Sequence, residues 1–369
     1  MLTILIGRAK TGKSDKVLRR MAELGETSRQ ILLVPEHASH QAEVDVCRAC
    51  GDTASRHAEV LSFRRLGERV LSITGGIADV TLDNGGKLLT LQRALLETAP
   101  QLTLYRKPSQ KVGFLEQMLA LFDELRCYEV TPEILYQQAQ DIGGATHDKL
   151  TDLSLLYAAY EARLCRPGLD ARDRMTKLCD HLEESGYVRD KDIFIDGFTY
   201  FNAQERRILA AFLRQARSVT VTLLGEVNSR EEIFAPTLKT MEMLERLART
   251  ENRPMKIENF TSADTSSLRH LEQHFFGENI PYEGDSSAVH LREASTVYAE
   301  VEQTAADIRR LLAAGKCRCR DITVAARNMG DYMGTIETVF ERYGIPAYIS
   351  RRSDILEKPV LSLLTGVLA

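Results

Sequence analysis

The sequence predicts an α/β protein: one doubly wound domain opened by an inserted helical block, and a second α/β unit beginning near residue 290. Three observations carry this reading. An apolar run, Leu2-Thr3-Ile4-Leu5-Ile6, leads straight into a glycine-containing loop and then a helix. Further short apolar runs recur at 31–34, 192–196 and 218–224, with helical patterns among them. Between 85 and 186 the pattern is helical, with few strand candidates, so strands of one sheet flank a block of about 100 residues.

Composition narrows the class. The 369 residues carry 48 Lys+Arg against 52 Asp+Glu, a formal charge of −4, and 44% hydrophobic residues. That hydrophobicity supports packed cores, enough for roughly two to three domains, and excludes dominant disorder. No stretch reaches the ~18 apolar residues of a membrane span, and the start does not read as a secretory signal. Seven cysteines without a regular framework suit a reducing cytoplasm. Near-balanced charge excludes a histone-like wrapper, so any nucleic-acid contact has to come from local basic faces.

The elements follow in order. Ile31-Leu32-Leu33-Val34 reads as a parallel strand stopped by Pro35, with a helix over Glu36–Arg48. Val60-Leu61-Ser62-Phe63 leads into a helix marked by Leu66, Val70 and Leu71. The inserted block reads as helices Lys87–Glu97, Val112–Arg126, Pro132–Asp141 and Lys149–Leu164. Its breaks are Ala99-Pro100, Gly143-Gly144 and Arg166-Pro167-Gly168. Strands return at Asp192–Asp196 and Ser218–Leu224, separated by a helix from Gln204 to Gln215. Polar residues 251–289 read as a linker or surface excursion. The second unit follows as helix Glu300–Ala314, strand Ile322–Ala326, helix Met329–Tyr343 and strand Ala347–Ile349. The expected organisation is 1–84 plus 187–250, 85–186 inserted, and a partial second α/β domain over 290–369. That second domain stops in the apolar helix Val360–Leu368, so the chain reads as a fragment of a longer polypeptide.

The strongest chemical signal is Gly7-Arg8-Ala9-Lys10-Thr11-Gly12-Lys13-Ser14, a complete G-x-x-x-x-G-K-[ST] string between a strand and a helix. Glycines let backbone N–H groups close on phosphate oxygens, and the new helix points its positive end at them. Lys13 is expected to neutralise β/γ-phosphate charge and the Ser14 hydroxyl to ligate Mg²⁺. Asp196, ending a buried strand, is the candidate acidic partner for that metal. Only six residues precede Gly7, leaving no room for the upstream glutamine motif with which superfamily 1 helicases read adenine. Active helicases of that class place glutamate directly after the aspartate to manage the attacking water; here the residue is Gly197. The expected outcome is ATP binding with slow or no hydrolysis, with Gly197→Glu restoring some turnover where geometry permits. Glu205 is a substitute only if the fold brings it back, and it reads instead as facing solvent or the neighbours of helix Gln204–Gln215.

These blocks resemble a known family. Gly7–Ser14, Leu33-Val34-Pro35-Glu36, Leu61-Ser62-Phe63 and Ile195-Asp196-Gly197-Phe198-Thr199 with Gln204-Glu205 look like the N-terminal half of AddB proteins, called RexB in some lineages. Tyr298-Ala299-Glu300-Val301-Glu302, Ile322–Arg327 and Tyr343-Gly344-Ile345-Pro346 resemble the start of that family's second motor-like domain. The resemblance implies a RecA-like P-loop domain of superfamily 1 helicase type. It also implies a cytoplasmic heterodimer with an AddA-type motor and nuclease subunit, acting on single-stranded DNA and duplex ends in double-strand break processing. Members of this family resemble a helicase that scans DNA without driving translocation. An iron–sulfur cluster is expected only in a C-terminal nuclease region beyond these residues. The alternative is an active superfamily 1 DNA helicase; a small P-loop kinase fits poorly with the late Asp196 and the second α/β unit.

DNA-facing candidates sit on loops after the core strands: His37, Ser39 and His40; Ser62, Phe63 and Arg64; Phe198, Thr199, Tyr200 and Phe201. Aromatics beside hydroxyls and arginine suit base stacking with phosphate contact, although Phe63 and Phe198 fit a core equally well. Arg327, ending the strand that opens the second unit, is the candidate for reaching the γ-phosphate; a surface salt bridge is the competing role. Cys47-Arg48-Ala49-Cys50 has C-x-x-C spacing but no second pair to complete a zinc site, and Cys317-Arg318-Cys319 is too tight for a usual zinc knuckle. Neither a histidine ligand set nor a serine or cysteine hydrolase arrangement is evident.

Overall fold

The computed structural model describes all residues except 77–81, 107–111, 167–168, 171–172, 228, 230, 316, 350–358 and 369. Two compact units divide the chain, Met1–Pro281 and Tyr282–Ala369.

Six parallel strands build the first unit's main sheet: β1 (Leu2–Gly7), β2 (Gln30–Leu33), β3 (Ala58–Leu61), β6 (Asp192–Ile195), β7 (Ser218–Leu224) and β8 (Met255–Phe260). Their order across the sheet is β3-β2-β6-β7-β1-β8. β4 (Cys165–Arg166) and β5 (Leu169–Asp170) form a separate antiparallel pair. Period-two alternation sends the main-sheet side chains to two cores. Leu2, Ile4, Ile6, Ile31, Leu33, Ile193, Ile195, Val219 and Val221 face one core, while Leu5, Leu32 and Phe194 face the other. Burial on both faces is why these strands read as apolar runs.

The first core is covered by α3 (Phe63–Thr74), α8 (Arg174–Ser185), α9 (Ala203–Gln215) and α10 (Ala235–Thr250), through Leu66, Val70, Leu178, Leu182, Ile208, Phe212 and Leu244. The second is covered by α1 (Lys13–Leu24) and α2 (Ser39–Cys50), through Val17, Met21 and Val46. Ile208 and Phe212 are fully buried, each contributing on the order of 1.5–3 kcal/mol by area removed from water.

Two boundaries differ from the sequence reading. Residues 251–289 are not linker throughout, because Met255–Phe260 pairs with β1 from Leu2↔Met255 to Gly7↔Phe260. This strand is at the sheet edge and half-exposed, so its pattern is weakly apolar. The block expected over 85–186 also ends earlier. Leu178, Cys179 and Leu182 of α8 belong to the sheet core, packed beside α3.

The insertion proper comprises α4 (Asn84–Thr98), α5 (Val112–Cys127), α6 (Pro132–Gln140) and α7 (Ala145–Leu164). It has its own core, where Phe122 stacks on Tyr157 at 4.7 Å and lies 5.8 Å from Tyr160. Asp152, only 2% exposed, accepts the backbone N–H groups of Thr103, Leu104 and Tyr105 at 2.7–3.1 Å. One carboxylate thereby fixes the turn between α4 and α5.

In the second unit α12 (Val297–Ala313) packs Val301, Ala305 and Ile308 against Ile336, Val339 and Phe340 of α13 (Met333–Arg342). Thr296 caps α12 by accepting the Ala299 N–H at 3.1 Å. The strands expected at 322–326 and 347–349 are absent: among the described residues neither segment carries a strand ladder. The last helix, α14, spans Pro359–Leu368. No helix among the described residues is long and apolar enough to cross a membrane.

Candidate functional site

The glycine loop leaves the end of β1 between β7 and β8. Gly7 has no room for a side chain: an added Cβ would lie 2.6 Å from the Phe260 carbonyl oxygen and 2.6 Å from Thr11 Oγ1. Lys10 and Gly12 adopt left-handed backbone, with φ of 53° and 88°. Gly12 is the N-cap of α1 and supplies no side-chain acceptor, so the helix's first N–H groups have no side-chain cap. An uncapped helix start at the rim of a parallel sheet attracts anions.

Lys13 is buried and folds back on the loop. Its ammonium donates to the Gly7 and Arg8 carbonyls at 2.7 Å each and to Thr11 Oγ1 at 3.3 Å. Burial lowers its pKa, while Asp196 acts in the opposite sense. A phosphate has to replace one of these three acceptors, and it offers an ammonium a charged partner in exchange. Ser14 is exposed in the first turn. Asp196 follows β6, one strand removed from β1, with β7 between. Its N–H donates to the Leu33 carbonyl at 3.0 Å, and its carboxylate accepts the Thr222 hydroxyl from β7. These residues fit a metal-phosphate group chemically: a cation, an open helix terminus, a hydroxyl and a carboxylate.

Arg8 takes a different role from the rest of the string. Its guanidinium pairs with Glu226 at 3.0 Å, with Glu231, and with Glu272 at 3.9 Å, and lies over the Phe234 ring at 4.9 Å. With three carboxylates on it, this side chain is not free for phosphate. Ala9 is likewise tied, its carbonyl accepting from Arg269 at 2.9 Å. Arg269 and Glu272 stand on α11 (Ser267–His274), which bears on the loop from a region that reads as linker. Neither they nor Glu226 and Glu231 carry a sequence signal. Thr222 does carry one, as a buried hydroxyl within an apolar strand.

Gly197 has φ 83°, and a Cβ there would sit 3.3 Å from Pro35 Cδ. The missing carboxylate is therefore accompanied by a backbone that side chains rarely adopt. Gly197→Glu is expected to cost about 1–2 kcal/mol of stability. Urea denaturation measures it, and an unchanged midpoint would remove the steric account. Glu205 is no substitute either: it closes a capping box, accepting the Asn202 N–H at 2.8 Å.

The DNA-facing candidates gather at the carboxyl ends of β2, β3 and β6, but only some are accessible. His37, His40, Arg64, Thr199 and Tyr200 are exposed. Ser39, Ser62, Phe63 and Phe201 are buried. Ser62 caps α3 through the Arg65 N–H and donates to Glu36, whose pKa it lowers, with Arg64 adding to the effect. Phe63 meets Phe198 edge-on at 5.5 Å, and Phe198 stacks on Phe201 at 5.4 Å. These rings pack the protein, as their core reading allowed. Arg327 belongs to the second unit and is exposed there. No group of three or more metal-ligating side chains occurs among the described residues, and Cys47, Cys50, Cys317 and Cys319 are free thiols.

A doubly covered parallel sheet with a G-x-x-x-x-G-K-[ST] string after an inner strand places the molecule among the α/β proteins with a parallel sheet. Comparison with known proteins gives the particular family. The family model described as "ADDB, N-terminal" matches residues 4–272, and the chain belongs to that family. The chain is 33% identical over its whole length to an ATP-dependent helicase/deoxyribonuclease subunit of Desulforudis audaxviator, covering 33% of that protein. Proteins of the same name from Desulforamulus reducens and Thermoanaerobacter sp. (strain X514) are 32% and 30% identical, over 100% and 99% of the chain. The chain spans about a third of the length of these relatives.

Proposed function

We propose that this chain is the N-terminal part of the AddB-type subunit of an ATP-dependent helicase/deoxyribonuclease. In this reading it is a RecA-like P-loop protein that binds Mg-ATP and DNA during double-strand break processing in the cytoplasm without acting as the motor. The observation that carries the non-motor reading is the pairing of an equipped loop with a disabled water site. Lys13, Ser14 and Asp196 provide phosphate and metal contacts, whereas Gly197 offers no carboxylate and its backbone disfavours one. Loss of a general base costs on the order of 10²–10⁴ in rate. The strand order supports the RecA-like assignment, since β7 separates the loop strand from the Asp196 strand.

The relatives are themselves named as subunits, which supports an AddA-type motor and nuclease partner. The iron–sulfur cluster would belong to the remaining two-thirds of such a protein. Single-stranded DNA and duplex ends would be met by the exposed His37, His40, Arg64, Thr199 and Tyr200. Steady-state ATP turnover by the intact subunit, with and without single-stranded DNA, tests the proposal. Bound ATP with negligible turnover is the expected result. Several turnovers per second, abolished by Lys13→Ala, would establish the active-helicase alternative instead.

A further inference from the structure

β3 is an edge strand with a buried body. Among the described residues no strand lies beyond it, yet Ala58, Val60 and Leu61 are all buried. A groove of about 310 Å³ runs along that open edge. We propose that it receives an extended segment of a partner protein, added to the sheet as a further strand, with a small apolar side chain turned inward and a carboxylate beside it.

Main-chain direction is the first observation. The Gln30 N–H donates to the His57 carbonyl at 2.7 Å, and the Val34 N–H donates to the Leu61 carbonyl at 2.9 Å. Between them the register runs unbroken from Gln30↔Ala58 to Leu33↔Leu61. In a parallel ladder, residues that bond one neighbour alternate with residues that face the other way. His57, Glu59 and Leu61 therefore face β2, and the N–H and C=O groups of Ala58 and Val60 point out of the sheet's edge. Main-chain groups shielded from water need partners, and an added strand supplies up to about four bonds here. β3 carries neither Pro nor Lys, and its register has no bulge, so the usual blocks to such pairing are missing. Its shortness limits the added strand to a brief clasp.

The second observation is the shape of the groove. Glu43 and Val46 of α2 form one wall, and Arg65 and Arg69 of α3 form the other. α2 covers one core of the sheet and α3 covers the opposite one. Two such helices share a groove only by reaching past the sheet's edge, which places the space in line with β3. Its volume lies at the low end of the roughly 300–1,000 Å³ of small-molecule sites. That suits main chain and one small apolar side chain against Val46 and Ala54 better than a bulky ligand.

Charge is the third. Arg65 is paired with Glu43 across the edge at 2.6 Å. Arg69 meets Glu59 at 3.4 Å, but Glu59 also serves Lys191 at 3.6 Å. Two cations thus share one carboxylate, and the Arg69 side chain is 59% exposed. A carboxylate on the incoming segment restores the balance and sets its register.

A capped hexapeptide of alternating valine and glutamate is the probe, with the same peptide N-methylated at every residue as its control. Methylation removes the backbone donors and leaves the side chains. Amide hydrogen exchange of the full chain, followed by NMR, reads the edge directly. The natural peptide should slow exchange at Ala58 and Val60 at least tenfold, and the methylated one should leave it unchanged. A peptide of alternating valine and lysine should bind at least tenfold more weakly, and Arg69→Glu should reverse that order. Val60→Pro removes an outward N–H and no ladder bond, so peptide affinity should fall about tenfold in a chain whose circular dichroism is unchanged. Should that buried variant misfold, the exposed Arg69→Glu carries the test. Exchange at Ala58 and Val60 that the natural peptide leaves unchanged, or slows no more than its methylated form does, would overturn the proposal. Protection that instead grows with protein concentration, without peptide, would also overturn it and give the edge to a second copy of this chain.

Discussion

Mg-ATP should stabilise this chain thermally if the proposed function holds, and Lys13→Ala should abolish that stabilisation. A ligand present at 100 times its Kd and bound only by the folded state adds about 2.7 kcal/mol. For a unit of this size that corresponds to roughly 5–10 °C in Tm. Lys13 supplies the buried cation of the loop, and without it the loop offers phosphate mainly backbone dipoles. The variant also loses the bonds to the Gly7 and Arg8 carbonyls, so its unliganded stability should fall by about 1 kcal/mol. The informative quantity is therefore the difference between scans with and without Mg-ATP. A full nucleotide-dependent shift in Lys13→Ala would show that the loop is not the site.

Asp152→Ala should have the larger effect on folding, about 3 kcal/mol or more, confined at first to the helical insertion. Three successive backbone N–H groups, those of Thr103, Leu104 and Tyr105, lose a charged acceptor that is nearly inaccessible to water. Asp152→Asn keeps the volume but turns one acceptor into a donor facing donors, so it should recover little of the loss. Hydrogen exchange at 103–105 and along α4, α5 and α7 would localise the damage. Unchanged protection there would mean that the turn is held by packing alone.

The glycine loop and its strand were legible because a phosphate-loop string is contiguous in sequence. Gly7 to Ser14 must be contiguous, and the strand before it is buried on both faces, which writes an unbroken apolar run. β8 was illegible for the opposite reason. As an edge strand it buries one face incompletely, and Lys256, Glu258 and Asn259 break the apolar pattern that the inner strands keep. The carboxylates on Arg8 come from positions 226, 231 and 272, more than 200 residues from it along the chain, so no local pattern announces them. Phe63 and Phe198 show how residue type misleads. Aromatic, hydroxyl and basic residues after a strand suit DNA, yet Ser62 caps a helix and both rings pack inward. In the second unit 322–326 has the composition of a strand, but a strand is defined by its neighbour, and the described residues supply none.

The strand order has a consequence for how such a chain is made. β1 and β2 are consecutive in synthesis but not adjacent in the sheet; β6 and β7 stand between them. A ribosome adding roughly 5–20 residues per second finishes β2 on the order of ten seconds or more before β7 emerges. During that interval β1 has neither of its lateral partners, and the apolar faces of Leu2, Ile4 and Ile6 lack the strands that later enclose them. The helical insertion, whose contacts are largely among its own helices, can fold in that window. The glycine-loop end of the sheet has to wait for the return of the chain. Its assembly is thus a late, long-range event, slow by topology and exposed to chaperones or to misassociation while the nascent strand is unpaired.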